Sequence, residues 1–201
     1  TGSYSYIWNN GQITNPAVGL MPSTYFVDVI DSMGCSITSL NEQITQPDSL
    51  SISNIAVTHV SCNGGNDGSA IPTVTGGTQS YTSSWSGGSG INLSAGVYTS
   101  TITDANGCVT SEDFTVTEPL ALSIQFIRDS VTCIGGSDGM ATAIVSGGTG
   151  SHYLLWDDGS TSAMVNTFDA GFHSLTVTDD NGCTFTDSVE ILEPSESIEI
   201  D

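Results

Sequence analysis

Basic residues are almost missing from this sequence. Its 201 residues include 22 acidic side chains but no lysine and one arginine, Arg128, so the formal net charge at pH 7 is −21. A field of this sign repels phosphate groups and anionic lipid headgroups. The composition therefore predicts a protein with no nucleic-acid partner and no attachment to anionic membrane surfaces, and it favours cations as small partners.

Long apolar runs and catalytic motifs are missing as well. No stretch approaches the roughly 18 consecutive apolar residues of a membrane span, and the N-terminus lacks the basic and apolar blocks of a signal peptide. We expect no direct membrane insertion and interpret the chain as a piece of a longer protein. The three histidines stand at non-equivalent positions, and no nucleophile-elbow or metalloprotease spacing occurs. The sequence predicts that the protein is not an enzyme.

Strand-forming and turn-forming residues dominate the rest of the sequence. Valine, isoleucine, threonine and aromatic residues are plentiful, and 23 glycines separate short segments that alternate with a period of two, such as VYTSTITD at 97–104 and HSLTVTDD at 173–180. These residue types fit a pleated, half-buried surface, and the spacing of the turns is typical of a small antiparallel sandwich. The predicted fold class is all-β, as tandem immunoglobulin-like antiparallel β-sandwich repeats with one disulfide per repeat.

One phrase recurs three times, as DVIDSMGC at 28–35, TITDANGC at 101–108 and TVTDDNGC at 176–183. When these phrases are aligned, a tryptophan, a proline and the motif VTGGT or VSGGT also fall into register. Residues 1–8 match 149–156, so the chain is expected to start in the middle of a repeat. The predicted domains are the C-terminal half of a repeat at 1–47, complete repeats at 48–119 and 120–194, and the start of a further repeat at 195–201.

Each complete unit contains two cysteines. Small domains bury little apolar surface, and a disulfide is their usual supplement in an oxidising compartment. We expect one pair of Cys62 with Cys108 and one of Cys133 with Cys183, each stabilising by about 4 kcal/mol in the chain-entropy model, with the partner of Cys35 in the missing half unit. The alternatives are a metal site or a reactive thiol, although no C-x-x-C pair is present.

Four aspartates stand close to these cysteines in sequence. Asp67 follows Cys62 and Asp104 precedes Cys108, and Asp138 and Asp179 take the same places in the next unit. If the predicted disulfides draw the two aspartates of a unit together, their carboxylates form a candidate Ca²⁺ site. The alternative is ordinary turn chemistry, in which each carboxylate binds nearby amides, and then no cofactor is present.

Aromatic residues also keep one register. The tryptophans Trp8, Trp85 and Trp156 are interpreted as core residues, with carbohydrate platforms as the alternative. A second equivalent position, ten residues before the last cysteine of each unit, holds Tyr25, Tyr98 and His173. This position predicts that His173 replaces a packing aromatic residue and is not catalytic.

The combination of VSCNGGNDGSA, VTGGT, the mid-unit tryptophan, AGVYTSTITDANGC and the closing TEP resembles the SprB-type repeat, and the resemblance extends over essentially the whole chain. It implies tandem units in very long surface proteins of Bacteroidota, including the gliding-motility adhesin, that are exported through type IX secretion. It also implies extracellular, cell-surface localisation. The first unit departs from the pattern with IDSMGC, and the middle unit is four residues shorter between Trp85 and Cys108.

Bacteria of this group attach O-glycans at Asp followed by Ser or Thr and an apolar residue. Four such triplets occur, and their candidate glycosylation sites are Ser32, Ser49, Ser130 and Ser188. The alternative is a plain Asp-Ser pair at the edge of a strand.

The function predicted from these features is a non-enzymatic stalk or filament segment of a long extracellular adhesin or appendage used in surface attachment or gliding. Its partners are the adjacent repeats of the same chain. Two rivals stay open: the repeats themselves bind a glycan, a surface or a protein, or they bundle laterally with other copies into a fibre. Short junctions after Pro47 and Pro119 favour a semi-rigid rod.

Overall fold

The computed structural model describes residues 3–195, so most of the predicted further repeat at 195–201 lies outside the described residues. Within residues 3–195 the chain forms seventeen β-strands and no helix. Consequently this part of the chain has no helix that is long and apolar enough to cross a membrane. The strands fall into three consecutive groups along the chain.

The middle group consists of two three-stranded antiparallel sheets, ordered β6-β7-β9 and β11-β10-β8. Alternating residues of both sheets point inward, so the two sheets share one apolar core, as the period-two pattern predicts. The strands are β6 Ser51–Thr58, β7 Gly68–Thr75, β8 Thr82–Trp85, β9 Ile91–Leu93, β10 Gly96–Thr103 and β11 Val109–Val116.

The third group repeats this topology, with sheets ordered β12-β13-β15 and β14-β16-β17. Its core is larger and contains Trp156 and Phe168, whose rings meet edge to face with 5.2 Å between their centroids. The strands are β12 Ser123–Asp129, β13 Gly139–Ser146, β14 His152–Trp156, β15 Met164–Phe168, β16 Gly171–Asp179 and β17 Thr184–Ile191.

The first group contains the counterpart of only the second sheet. It pairs β1-β3-β4 and, separately, β2-β5. Because no first sheet covers it within the described residues, Ile44 is 39% exposed, whereas its register equivalents Val116 and Ile191 are 1% exposed. The strands are β1 Ser5–Trp8, β2 Ser23–Tyr25, β3 Val27–Ile30, β4 Ser36–Thr38 and β5 Glu42–Ile44.

The aromatic position predicted from the register has one geometry in all three groups. The Tyr25 and Tyr98 hydroxyls donate to the carbonyls of Met21 and Ser94, and His173 Nε2 bonds the Asp169 carbonyl, each four residues earlier. The His173 ring stacks on Phe168, as the Tyr98 ring stacks on Phe114. This arrangement resembles the tyrosine corner of immunoglobulin-like sandwiches and supports a packing role for His173.

The predicted fold class is therefore confirmed as all-β and immunoglobulin-like. The expectation of one disulfide inside each repeat is wrong, for a reason that follows from the direction of the strands. The repeat boundaries at 47/48 and 119/120 stay a prediction, although β6–β11 and β12–β17 fall within them.

Candidate functional site at the junction between repeats

The closing turn of each unit, at 31–35, 104–108 and 179–183, is built around its aspartate. Asp179 Oδ1 accepts the amides of Asn181 and Cys183, both at 2.9 Å, while Oδ2 accepts the Thr149 amide at 2.8 Å. The carboxylate therefore fixes the cysteine within the turn and also ties the turn to the loop that follows β13. A glycine with positive φ, Gly182, completes the reversal of the chain.

The middle closing turn has the same hydrogen bonds. Asp104 Oδ1 accepts the amides of Asn106 at 2.9 Å and Cys108 at 2.8 Å, and Oδ2 accepts the Thr78 amide at 2.9 Å. In the first unit Asp31 Oδ1 accepts the Cys35 amide at 2.9 Å, so IDSMGC forms the same turn without the consensus asparagine.

These hydrogen bonds lower the pKa of both buried aspartates. For Asp104 the Thr78 amide has the largest effect and lowers the pKa below its ordinary 3.8, against an opposing contribution from burial. For Asp179 burial is the largest single influence and raises the pKa, but the amides of Thr149, Cys183 and Asn181 and the charge of His152 lower it, and the net effect is a lowered pKa. Both carboxylates are thus held in the charged form that accepts from the turn.

The opening loop of each complete unit, at 61–67 and 132–138, carries the other cysteine. Asp67 accepts the Ser61 amide at 3.0 Å and the Ser61 hydroxyl at 2.5 Å. The hydrogen bond from the Ser61 hydroxyl has the largest effect on the Asp67 pKa and lowers it. The Gly65 amide donates to the Cys62 carbonyl at 3.0 Å, which curls the loop around the cysteine.

Opening loop and closing turn lie at opposite ends of a unit. The opening loop leads directly into β7 at Gly68, whereas a Cβ placed on Gly77, just beyond the end of β7, would lie 2.9 Å from Asp104 Oδ2. Eight residues of strand span about 26 Å. Cysteines this far apart cannot form a disulfide, which needs their Cα atoms within about 7 Å.

The structure instead joins Cys62 to Cys183, with their Cα atoms 5.7 Å apart and a sequence separation of 121 residues. The predicted pairs of Cys62 with Cys108 and of Cys133 with Cys183 are therefore wrong. Head-to-tail stacking brings the opening loop of one unit against the closing turn of the next, so the disulfide crosses the junction. The other cysteines of the described chain are free and exposed, namely Cys35, Cys108 and Cys133.

Further hydrogen bonds surround this disulfide. The Asn181 side-chain amide donates to the Ser61 carbonyl at 2.9 Å and links closing turn to opening loop. The Asn63 side-chain amide donates to the Pro119 carbonyl at 3.0 Å, and the Gly64 amide donates to Glu118 Oε2 at 2.6 Å. The opening loop, the linker at 118–122 and the closing turn meet at the interface between the two complete units, which we call the second junction. Together they line a cavity of about 490 Å³.

The glycine pair of the motifs VTGGT and VSGGT has a clear role at the junctions. A Cβ on Gly147 would lie 1.9 Å from the Ala121 carbonyl oxygen, and one on Gly76 would lie 2.1 Å from the Ser49 carbonyl oxygen. The linker backbone thus packs directly on these glycines. The sequence showed the pair in both units but did not show what it contacts.

The candidate calcium residues are not brought together as predicted. Asp67 and Asp104 lie at opposite ends of their unit, because the length of β7 separates the opening loop from the closing turn. Asp138 repeats the bonds of Asp67, accepting the Thr132 amide at 3.0 Å. Among residues 3–195, no three acidic, histidine or cysteine side chains cluster closely enough to hold a metal ion. All four carboxylates act in turns, and calcium binding itself stays a prediction without a site.

The candidate glycosylation sites are all exposed. Ser32 lies in the first closing turn, Ser49 in the first linker, Ser130 beyond β12, and Ser188 on β17. Their accessibility is compatible with modification, which stays a prediction.

The tryptophans differ in burial. Trp156 is 2% exposed, and its indole Nε1 donates to the Ser162 carbonyl at 2.9 Å. Trp8 makes the matching bond to the Thr14 carbonyl but is half-buried, as is Trp85, which meets Phe114 edge to face. The core interpretation therefore holds fully for Trp156 and partly for the other two.

The family model described as the SprB repeat matches residues 54–90 and 128–161. The predicted resemblance is confirmed. Each SprB repeat match starts in the first strand of a complete unit and ends beyond its tryptophan, so the two matches share one register. They support a repeat region of the cell-surface adhesin type. No curated protein sequence matches this chain.

Solved structures similar to this chain contain tandem immunoglobulin domains. The N-terminal four Ig domains of Dscam1 isoform 9.44 align over 94% of this chain and 64% of theirs, with 10% identity and a TM-score of 0.33. Extracellular domains 3–5 of Drosophila OTK align over 96% of this chain and 86% of theirs, with 10% identity and a TM-score of 0.30. The chain thus spans just under two thirds of the Dscam1 structure it matches.

Proposed function

We propose that this chain is a non-enzymatic, load-bearing stalk segment of a long extracellular adhesin or appendage that serves in surface attachment or gliding. The observation that carries the proposal is the disulfide across the second junction. A catalytic domain needs no covalent link to its neighbour, whereas a mechanical element gains from one. The SprB repeat matches and the disulfide, which persists in oxidising compartments, support an extracellular, cell-surface location after type IX secretion.

The disulfide changes the path that tension takes through the chain. A force applied at the two ends passes from Cys62 directly to Cys183, so the intervening residues carry none of the load once the link is taut. If this segment unfolded without the link, its sequence separation of 121 residues would add about 400 Å of contour length. The link therefore keeps a stretched stalk close to its folded length.

The linker supports a semi-rigid arrangement for the same segment. Pro119 accepts a hydrogen bond from Asn63, and the linker backbone packs on Gly147. Because the linker backbone and the disulfide both cross the junction, two covalent connections restrict rotation of one unit against the next. A single flexible linker would leave that rotation free.

Single-molecule pulling on the full chain, held at its two ends, tests this proposal. We expect complete unfolding in reducing buffer to release about 400 Å more than in oxidising buffer. The Cys62→Ser variant should release the longer length without reductant, and the matched Cys35→Ser variant should behave like the unmodified chain. Equal lengths in both buffers would contradict the load-bearing role.

Surface location is tested separately by protease shaving of intact cells. Peptides of this chain should appear in the shaved fraction, and hexose additions at Ser32, Ser49, Ser130 or Ser188 would be seen in the same spectra. Peptides found only after lysis would overturn the extracellular assignment.

An exposed apolar patch favours adhesion or lateral bundling as a second candidate function. On the outer face of β14, Tyr153 is 63% exposed and its neighbour two residues on, Leu155, is 54% exposed. Exposed neighbouring apolar side chains of this kind mark interaction surfaces. Elution as a monomer at high concentration would argue against bundling, and a glycan and surface-binding screen with the Tyr153→Ser/Leu155→Ser variant as control would test adhesion.

A further inference from the structure

We propose that Cys133 and Cys108 continue the same inter-repeat link in both directions. Cys133 pairs with the closing-turn cysteine of a following SprB-type repeat, and Cys108 pairs with the opening-loop cysteine of a preceding one. A tandem array then becomes a covalent ladder in which each repeat is joined to the next by backbone and disulfide. This inference concerns the chemistry of the junction and does not depend on the proposed stalk function.

The opening loop around Cys133 is built like the loop around Cys62, which is already paired. The Gly136 amide donates to the Cys133 carbonyl at 2.9 Å, matching the 3.0 Å bond from Gly65 to Cys62. The Thr132 hydroxyl lies 3.9 Å from the Cys133 sulfur, and the Ser61 hydroxyl lies 4.0 Å from the Cys62 sulfur. Cys133 is therefore presented at the exit end of its unit in the same conformation as Cys62, and its thiol is exposed.

The closing turn around Cys108 likewise matches the turn around the paired Cys183. The Asp104 amide donates to the Cys108 carbonyl at 2.9 Å, and the Asp179 amide donates to the Cys183 carbonyl at 3.0 Å. Asn106 takes the register position of Asn181, whose side chain binds the neighbouring opening loop at the second junction. The exposed Cys108 thiol thus stands at the entry end of the middle unit as Cys183 stands in the third.

The junction between the first and middle groups, which we call the first junction, contains the same linker, glycine pair and closing turn as the second junction. It contains a cavity of about 390 Å³ lined by the linker at 46–50 and by residues of the closing turn, Cys108 among them. The Gly77 amide donates to the Asp48 carbonyl at 2.7 Å, as the Gly148 amide donates to the Leu120 carbonyl at 2.8 Å. The interface that carries the disulfide at the second junction therefore has a counterpart at the first junction, where the linker and the closing-turn cysteine have the same arrangement.

The chemistry balances as thiol–disulfide exchange. Two cysteine thiols, one on each repeat, react with one small disulfide such as oxidised glutathione. One S–S bond forms between the repeats and one breaks in the small molecule, which leaves as two thiols carrying both protons and both electrons. The loop closed by the new link overlaps in sequence with the existing loop, because Cys133 lies inside the loop closed by Cys62 and Cys183.

An extended chain tests the inference. Residues 120–194 are repeated after Pro194, and this appended copy carries Cys133→Ser, so that it has no opening cysteine, and Thr186→Ser as a mass mark. The chain is oxidised with glutathione disulfide and cleaved before aspartate without reduction. We expect the peptide 129–137, which contains the original Cys133, to be linked to the marked 180–186 peptide.

A control chain and an internal standard make the outcome decisive. In the extended chain with the original Cys133→Ser, the marked peptide should carry a free thiol. In both chains the link between peptides 48–66 and unmarked 180–186 reports that the known junction has formed. Cys133 left as a thiol beside an intact known junction, or linked to Cys183 of its own repeat, would overturn the inference.

Discussion

At the scale of single residues, aspartate carboxylates fix the position of each cysteine. Asp179 accepts three backbone amides while only 2% exposed, and Asp67 holds the opening loop from the other side of the disulfide. The carboxylates that suggested a calcium site therefore accept hydrogen bonds from backbone amides. The recurring sequence motif keeps an aspartate beside its cysteine because the carboxylate fixes the turn that holds the cysteine. Two cysteines held in this way have their sulfur atoms within bonding distance across a junction.

This account predicts a pH-dependent effect of Asp179→Asn. Because the folded-state pKa lies below the ordinary 3.8, the aspartate contributes stability above the unfolded pKa, and this contribution is lost as pH falls through the folded value. At neutral pH the variant should melt several degrees lower, since its NH₂ group would face the Thr149 amide. Thermal melts at several pH values should show this gap narrowing below about pH 4.

The exposed Asp129→Asn variant is the matched control and should stay close to the unmodified chain throughout. Each of the two variants lacks one carboxylate, so relief of the overall negative charge at low pH acts equally on both and cancels when they are compared. A gap that widens on acidification would contradict the role given to Asp179.

A second residue-scale prediction concerns Ser100, which is fully buried in β10 with no hydrogen-bond partner for its hydroxyl. Its register equivalents are Val27 and Leu175. Val and Thr have nearly the same shape, so Ser100→Val and Ser100→Thr differ mainly in the buried hydroxyl. We expect the valine variant to be more stable by about 1–2 kcal/mol in chemical denaturation. A more stable threonine variant would indicate an acceptor for that hydroxyl.

At the scale of elements, strand direction determines which cysteines can meet. The first strand of a unit, β6, carries the chain away from the entry end, so Cys62 beyond it lies at the exit end. The last strand, β11, carries the chain towards the exit, so Cys108 before it lies at the entry end. Spacing along the sequence gives the right loop size for a bond between them, but the sandwich separates them.

The sequence predicts the strands of each unit but not the partner of each cysteine. Period-two alternation and glycine turns predicted the strands, and the shared register of Tyr25, Tyr98 and His173 predicted a packing position. The disulfide partner depends on how two units stack, and stacking is a tertiary property that local spacing does not contain. Four strands lie between Cys62 and Cys108, so simple alternation of strand direction would place both cysteines at the same end of the unit. The ends differ because β8 and β9, which are antiparallel to β10 and β7, run in the same direction, and this tertiary arrangement is not visible in the local sequence.

The linker contact gives an element-scale prediction. Gly147→Ala would place a methyl group 1.9 Å from the Ala121 carbonyl oxygen, so the linker must move away from the glycine pair. Gly159→Ala is the matched control, since Gly159 also has positive φ, +85° against +81°, but has no atom near its Cβ position. We expect Gly147→Ala to slow formation of the Cys62–Cys183 disulfide during oxidation, measured by thiol labelling. Equal rates for both variants would contradict a role for the linker contact.

At the scale of the whole molecule, the disulfide makes neighbouring repeats dependent on each other. Repeat proteins usually gain stability from each unit and from its contacts with neighbours. Here the second junction adds a covalent bond to contacts made by Asn63, Asn181 and Glu118. The high negative charge lies on a scaffold whose units are tied in series, which suits a long, extended array.

The most direct test of this account is a non-reducing peptide map of the full chain. Cleavage before aspartate places the five cysteines in five different peptides, 31–47, 48–66, 104–112, 129–137 and 180–186. We predict one linked pair, 48–66 with 180–186, and free thiols in the other three peptides. Links of 48–66 with 104–112 and of 129–137 with 180–186 would instead close each repeat on itself and contradict the junction disulfide.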